Sequence, residues 1–293
     1  MRKILFYAIS LTMLFILFSP AAHAADQSHE PAPAEFDTEV FFRRVKEAEV
    51  PIVMYHLVTQ NPKYIGKYGI TPAELEDDLK FLHENGYNTV VMQDLINFVN
   101  KGKKLPKNPI MLTFDDGNTS DYTILLPLLQ KYKMKAVIAV LGAAADKYTV
   151  EAEENPSAVY PNLTWKQISE LHNSGHVEIA NHSYNLHTPP LGSKNKSGES
   201  PEAYHARLLA DLQKFQHACT VHLGITPTTY VYPLGALGEG SRAVLEELGM
   251  VASVSCQEGK NIIRQGDKDC LFLLKRTNRP SGRSIKDILE KIS

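Results

Sequence analysis

Four side chains in this sequence have types and spacings that suit metal chemistry. Asp115 and Asp116 are adjacent, and His182 and His187 are five residues apart in Asn181-His-Ser-Tyr-Asn-Leu-His187. Neighbouring carboxylates repel unless a cation or hydrogen-bond donors hold them. Taken alone, Asp115-Asp116-Gly117 reads as a turn, and a single histidine as a satisfied core or surface residue. Together they read differently. Asp116, His182 and His187 would be one carboxylate and two imidazoles, a set that leaves coordination positions open for water and substrate.

That reading needs the groups at one end of a sheet. Ile110-Met-Leu-Thr-Phe114 is an apolar run between Pro109 and the acids, which predicts a buried strand ending at Asp115. Val177 to His182 predicts another, with Thr188-Pro-Pro190 stopping the chain after the second histidine. Further strands are expected at Pro51–Val58, Tyr87–Met92, Ala136–Leu141, Thr229–Pro233, Val251–Ser255 and Leu271–Thr277. Helices are expected at 73–85, 93–100, 121–132, 165–173, 202–223, 241–248 and near Ile285. Two stretches, Ala143–Asn162 and Thr188–Pro201, read as long loops. Strands alternating with helices predict an α/β fold with a mainly parallel sheet, as a closed or distorted (β/α) barrel or an open doubly wound sheet. In either, chemistry sits at the strand C-terminal ends.

The ends of the chain and its charge narrow the class. Arg2 and Lys3 precede an apolar run from Ile4 to Phe18, and Ala22-His-Ala24 fits a cleavage site, so residues 1–24 read as a signal peptide. The run is shorter than the roughly 20 residues of a spanning helix, so no stable membrane span is expected after cleavage. Residues 25–49 are read as a linker and 50–293 as the catalytic domain. Lys+Arg 31 against Asp+Glu 33 argues against nucleic acid as a partner. Cys219, Cys256 and Cys270 have no metal-type spacing; a Cys256–Cys270 bridge and three buried thiols both stay open.

Thr113-Phe-Asp-Asp-Gly117 with His182-Ser-x-x-x-His187 resembles the polysaccharide deacetylases of the NodB type, carbohydrate esterase family four. Val50-Pro-Ile-Val-Met-Tyr-His-Leu57 is similar to the branch that deacetylates poly-N-acetylglucosamine. The resemblance implies a distorted (β/α) barrel holding one divalent metal on Asp116, His182 and His187. Zinc is the first expectation, and cobalt, nickel and manganese also suit N and O ligands. It implies Asp115 as the base toward a water brought to a pKa near 7. It further implies the backbone N–H of Leu234, after Tyr232-Pro233, as an oxyanion donor. The substrate would be an N-acetylated glucosamine polymer or oligomer, met by a monomer that is secreted, extracellular or surface-associated.

Two departures from that family stand out. The arginine that many relatives carry two residues before the proline, to orient the base, is Val231 here. The Leu-x-His motif whose histidine protonates the leaving amine is absent from Leu271-Phe-Leu-Leu-Lys-Arg276. His56, at the end of the first strand, is the candidate general acid in its place. The departures keep open a non-catalytic carbohydrate-binding relative. A phosphoryl-accepting Asp115 is disfavoured, because Gly117 stands where that chemistry favours a second carboxylate. Tyr230 and Tyr232 are candidates for a sugar groove or for the core.

Overall fold

Apolar runs that end in polar or turn residues build the main parallel sheet. Residues 46–292 are described in this computed structural model; the signal peptide expected over 1–24 and nearly all of the expected linker lie outside them. In chain order the strands are β1 (Ile52–Tyr55), β2 (Pro109–Asp116), β3 (Ala136–Val140), β4 (Val177–Asn181), β5 (Thr229–Val231), β6 (Ala252–Val254) and β7 (Thr277–Asn278). Across the sheet they run β6-β5-β4-β3-β2-β1-β7, each pair parallel. A short strand, Asn88–Thr89, pairs with the start of β2. The sheet curls into a distorted, open barrel. Between its two ends the described residues make one isolated parallel bridge, Val254 to Leu274.

Period-two alternation decides what each strand buries. Met111, Val137, Ala139, Val231 and Ala252 point to one side, where α2 (Met92–Lys101) packs its apolar face. Leu112, Phe114, Ile138 and Val140 point to the other, toward α1 (Pro72–Glu84), α3 (Leu126–Tyr132) and α5 (Trp165–Asn173). Fully burying one such aliphatic side chain is worth about 1.5–3 kcal/mol. Helix starts follow capping chemistry. Thr71 with Glu74 and Thr164 with Gln167 form capping boxes. The remaining helices are α4 (Gly142–Glu154), α6 (Pro201–Leu223), α7 (Ser241–Glu247) and α8 (Ile285–Ile292).

Several elements depart from the sequence reading. Residues Gly142–Glu154, read mostly as loop, form α4, which buries only Gly142 and Ala145. The last strand is not Leu271–Thr277. Lys268–Leu271 is a 3-10 turn, Leu273 takes a left-handed φ of 56°, Leu274 makes only the isolated bridge to Val254, and the strand itself begins at Thr277. Glu47–Glu49, at the end of the expected linker, pairs antiparallel with Ile262–Arg264. Tyr230 and Tyr232 are core residues, 0% and 1% exposed, in edge-to-face contact. Cys219, Cys256 and Cys270 are all free. Among the described residues no helix is long and apolar enough to cross a membrane.

Candidate active site

The acids end β2, where the backbone leaves the sheet. Asp116 has φ 76° and Gly117 φ 63°, two consecutive left-handed residues. Such a conformation is costly for a residue with a Cβ and clusters at functional sites. It turns both carboxylates to one pocket, although successive strand side chains otherwise point to opposite faces. Two asparagines hold the turn: Asn118 Nδ2 donates to the Asp115 carbonyl at 3.1 Å, and Asn162 Nδ2 to the Asp116 carbonyl at 2.9 Å. Asp121, just beyond, is wholly buried, and burial pushes its carboxyl well above the usual carboxylate range.

The histidine loop leaves the end of β4 by the same kind of device. Ser183 has φ 77°, Ser183 Oγ accepts from Leu186 N at 2.9 Å, and Asn181 Oδ1 accepts from Ser183 N at 2.7 Å. From α6, Asp211 accepts the N–H groups of Tyr184 at 2.8 Å and Asn185 at 2.9 Å. Asp116, His182 and His187 each offer a ligand atom within 4.8 Å of the others. Asp116 Oδ1 lies 3.5 Å from His182 Nε2 and 3.2 Å from His187 Nε2. It is buried yet makes no aligned hydrogen bond with either ring. His182 Nδ1 lies 2.8 Å from the Val231 carbonyl; donating to it would leave Nε2 for a cation. An orphaned buried oxygen facing two imidazole nitrogens fits a divalent cation.

Asp115 is held by an arginine far along the chain. Arg276 Nη1 donates to Asp115 Oδ1 and Nη2 to Asp115 Oδ2, both at 2.7 Å. The same guanidinium donates to Thr113 Oγ1 at 3.1 Å and through Nε to the Ser255 carbonyl at 2.8 Å. Its side chain is 0% exposed. Burial alone would raise the Asp115 carboxyl, but Arg276 first, then His182 and His56, hold it well below the usual carboxylate range. So a guanidinium orients Asp115 after all, from the approach to β7 rather than from position 231. A basic residue closing an apolar run was the available signal in the sequence.

His56 follows β1, with Nε2 3.8 Å from Asp115 Oδ2 and Nδ1 buried without a partner. Burial lowers its pKa, against the pull of Asp115 and Asp116. Leu234 sits opposite in a left-handed conformation, φ 59°, and is 42% exposed. All six residues singled out from the sequence line one cavity of about 680 Å³, together with Tyr64, Lys67, Tyr68, Cys256, Glu258 and Asn278. A buried carboxylate paired with an arginine, an adjacent candidate cation site, a histidine and a backbone turn in one cleft suit hydrolysis of an acyl group.

Comparison with known proteins points the same way. A family model described as polysaccharide deacetylase matches residues 102–253. A poly-beta-1,6-N-acetyl-D-glucosamine N-deacetylase of Escherichia coli (strain K12) is 29% identical over 199 residues, 61% of this chain and 29% of that protein. The chain thus spans less than a third of that relative's length. The protein of the same name from Staphylococcus aureus (strain N315) is 22% identical over 272 residues, 88% of this chain and 87% of that protein. A solved de-N-acetylase from Aggregatibacter actinomycetemcomitans superposes with a TM-score of 0.70 at 25% identity, covering 83% of this chain and 99% of that one. The matched family segment contains the acids, the histidine pair and Leu234, but neither His56 nor Arg276.

Proposed function

The chain belongs to the polysaccharide deacetylase family, and from that premise we propose that it hydrolyses the N-acetyl groups of a β-1,6-linked N-acetylglucosamine polymer in a metal-dependent reaction. The observation that carries the proposal is the bidentate Arg276–Asp115 pair beside the Asp116, His182, His187 cluster. A binding module has no use for a buried carboxylate held by a buried arginine, which costs desolvation of both ions. The missing arginine that favoured a non-catalytic relative is supplied by Arg276.

In this reading Asp116, His182 and His187 hold a divalent cation, with zinc the first choice for two imidazoles and a carboxylate. When bound, the cation supplies Lewis acidity that brings water to a pKa near 7 and polarises the acetamido carbonyl, which lets so weak a base as Asp115 accept a proton. Arg276 keeps Asp115 ionised and in one orientation. The backbone N–H of Leu234 donates to the developing oxyanion. His56, with Nε2 3.8 Å from Asp115 Oδ2, takes up the proton that Asp115 received from water and delivers it to the leaving amine, which returns both side chains to their starting states. The products are acetate and a glucosamine unit in the polymer. The leader-like residues 1–24 fit action outside the cytoplasm, on a surface or extracellular polymer.

The test is acetate release from β-1,6- and β-1,4-linked N-acetylglucosamine oligomers by metal-loaded protein, beside Asp115→Asn and His182→Ala. Release from the β-1,6 oligomer that both variants lose is expected. No release from either linkage, with the metal verified as bound, would overturn the proposal.

A further inference from the structure

We propose that Tyr64, Lys67 and Tyr68 form a subsite that seats an uncharged N-acetylglucosamine unit next to the unit under attack and disfavours a glucosammonium unit there. The inference rests on the function proposed above and adds a substrate contact and a product pattern to it. Of the Phe, Tyr and Trp rings among the described residues only Tyr64 and Tyr68 are exposed, at 53% and 49%. Both line the cavity that holds Asp115 and the three candidate ligands. Large apolar rings kept in water at the rim of a reactive cleft mark a contact surface, and the apolar face of a pyranose is a natural partner for an aromatic ring.

The ridge is built, not loose. Leu57 N donates to the Tyr68 carbonyl at 3.1 Å, Asn278 Nδ2 to the Lys67 carbonyl at 2.7 Å, and Ser281 N to the Gly66 carbonyl at 2.9 Å. A Cβ on Gly69 would stand 1.9 Å from the Tyr64 carbonyl oxygen, so only glycine lets the loop close on itself. Tyr68 also packs at 4.7 Å on His56. Presented this way, the rings bind without first being ordered, which spares affinity.

Charge decides which sugar fits. Lys63 Nζ lies 5.5 Å from the Tyr64 ring centre and Lys67 Nζ 4.8 Å from that of Tyr68. Glu258, the remaining carboxylate on the cavity wall besides the two catalytic-pocket acids, is ion-paired with Lys291. An N-acetylated unit meets no charge penalty at this ridge. A deacetylated unit carries an ammonium at neutral pH and meets Lys67 with no free carboxylate to offset it. Removal of one acetyl group therefore disfavours removal of the next one along, and glucosamine units come out spaced rather than in runs.

The experiment uses metal-loaded protein with β-1,6-linked dimer to pentamer, for the wild type, Tyr64→Ala and Lys67→Glu. For the wild type kcat/KM is expected to rise with chain length. For Tyr64→Ala the pentamer should lose about five- to tenfold in kcat/KM, through KM, which flattens that rise. Mass-spectrometric sequencing at equal conversion should show adjacent glucosamine pairs several-fold more often with Lys67→Glu than with the wild type. Acetate release with the same length dependence in Tyr64→Ala, or the same pair frequency in Lys67→Glu, overturns the subsite and leaves the deacetylase reading standing. No release by the wild type from any length overturns both.

Discussion

Arg276 and Asp115 stand 161 residues apart in sequence, yet two parallel hydrogen bonds of 2.7 Å join the guanidinium to both carboxylate oxygens. The pair is buried, so its net contribution to stability is small once desolvation is counted. What it secures is the direction and ionisation of the carboxylate. Arg276→Ala would leave a buried charge uncompensated, at about 3–5 kcal/mol, and would confuse misfolding with mechanism. Arg276→Lys keeps the charge and removes the fork. Its kcat is expected to fall by about a hundredfold with KM little changed, the size of effect that misplacement by about 1 Å produces. A lysine variant with wild-type kcat would show that orientation by Arg276 does not matter.

Metal binding is expected to appear in stability as well as in turnover. A cation at a hundred times its Kd stabilises the folded chain by about 2.7 kcal/mol. Adding zinc or cobalt to chelator-treated protein should therefore raise the melting temperature by several degrees. In His187→Ala, a half-buried position where truncation leaves the core intact, most of that rise should vanish. An equal rise in both proteins would place the cation elsewhere.

Asp211 holds the loop between the two histidines by taking the N–H groups of Tyr184 and Asn185. Asp211→Ala frees both donors and is expected to weaken metal affinity by about 10- to 100-fold, the usual cost of removing support behind a ligand. Asp211→Asn, which keeps one acceptor, should fall between. Calorimetric titration with cobalt reads this without any turnover. Unchanged affinity in the alanine variant would reduce Asp211 to an ordinary surface cap.

Glu178, remote in function from the cleft, sets an expectation for pH. Burial first, against hydrogen bonds from the Gln93 and Met92 backbone, pushes its carboxyl up from 4.5 to about 7. Between those values the folded state holds a proton that the unfolded state has released. Stability contributed by the neutral form is thus full below about pH 4.5 and is lost as pH rises through about 7, at up to about 1.4 kcal/mol per pH unit. Glu178→Gln removes this slope. Its melting temperature should fall less than that of the wild type between pH 5 and 8, and parallel profiles would contradict the assignment.

Much of the architecture is legible in local pattern. The apolar run before Asp115 is long and bounded by Pro109, so β2 declares itself, and the five-residue histidine spacing after β4 marks two side chains that meet Asp116 in one cluster. Thr71 and Pro72 announce α1 by capping chemistry. What escaped was non-local or weakly patterned. Helix α4 buries so little that its sequence, rich in alanine and without a side-chain cap, carries no clear apolar stripe. The last strand is broken by the left-handed Leu273, a residue whose type gives no hint of that conformation. Arg276 could be seen to follow an apolar run, but nothing in the neighbouring residues tells which acid, far back in the chain, it meets. The two tyrosines before Pro233 alternate as a strand should, and the structure places both in the core.

The order in which the site is assembled carries its own consequence. Asp115, Asp116, His182 and His187 all lie in the middle of the chain, while Arg276 arrives with the approach to the last strand of the sheet. A chain emerging from the ribosome carries the candidate ligands and Asp115 long before it carries the guanidinium that pairs with Asp115. Until Thr277 and Asn278 dock beside β1, Asp115 lacks that counter-charge. In the proposed mechanism hydrolytic competence therefore waits on the docking of Arg276, and not on the segments that would bind the metal.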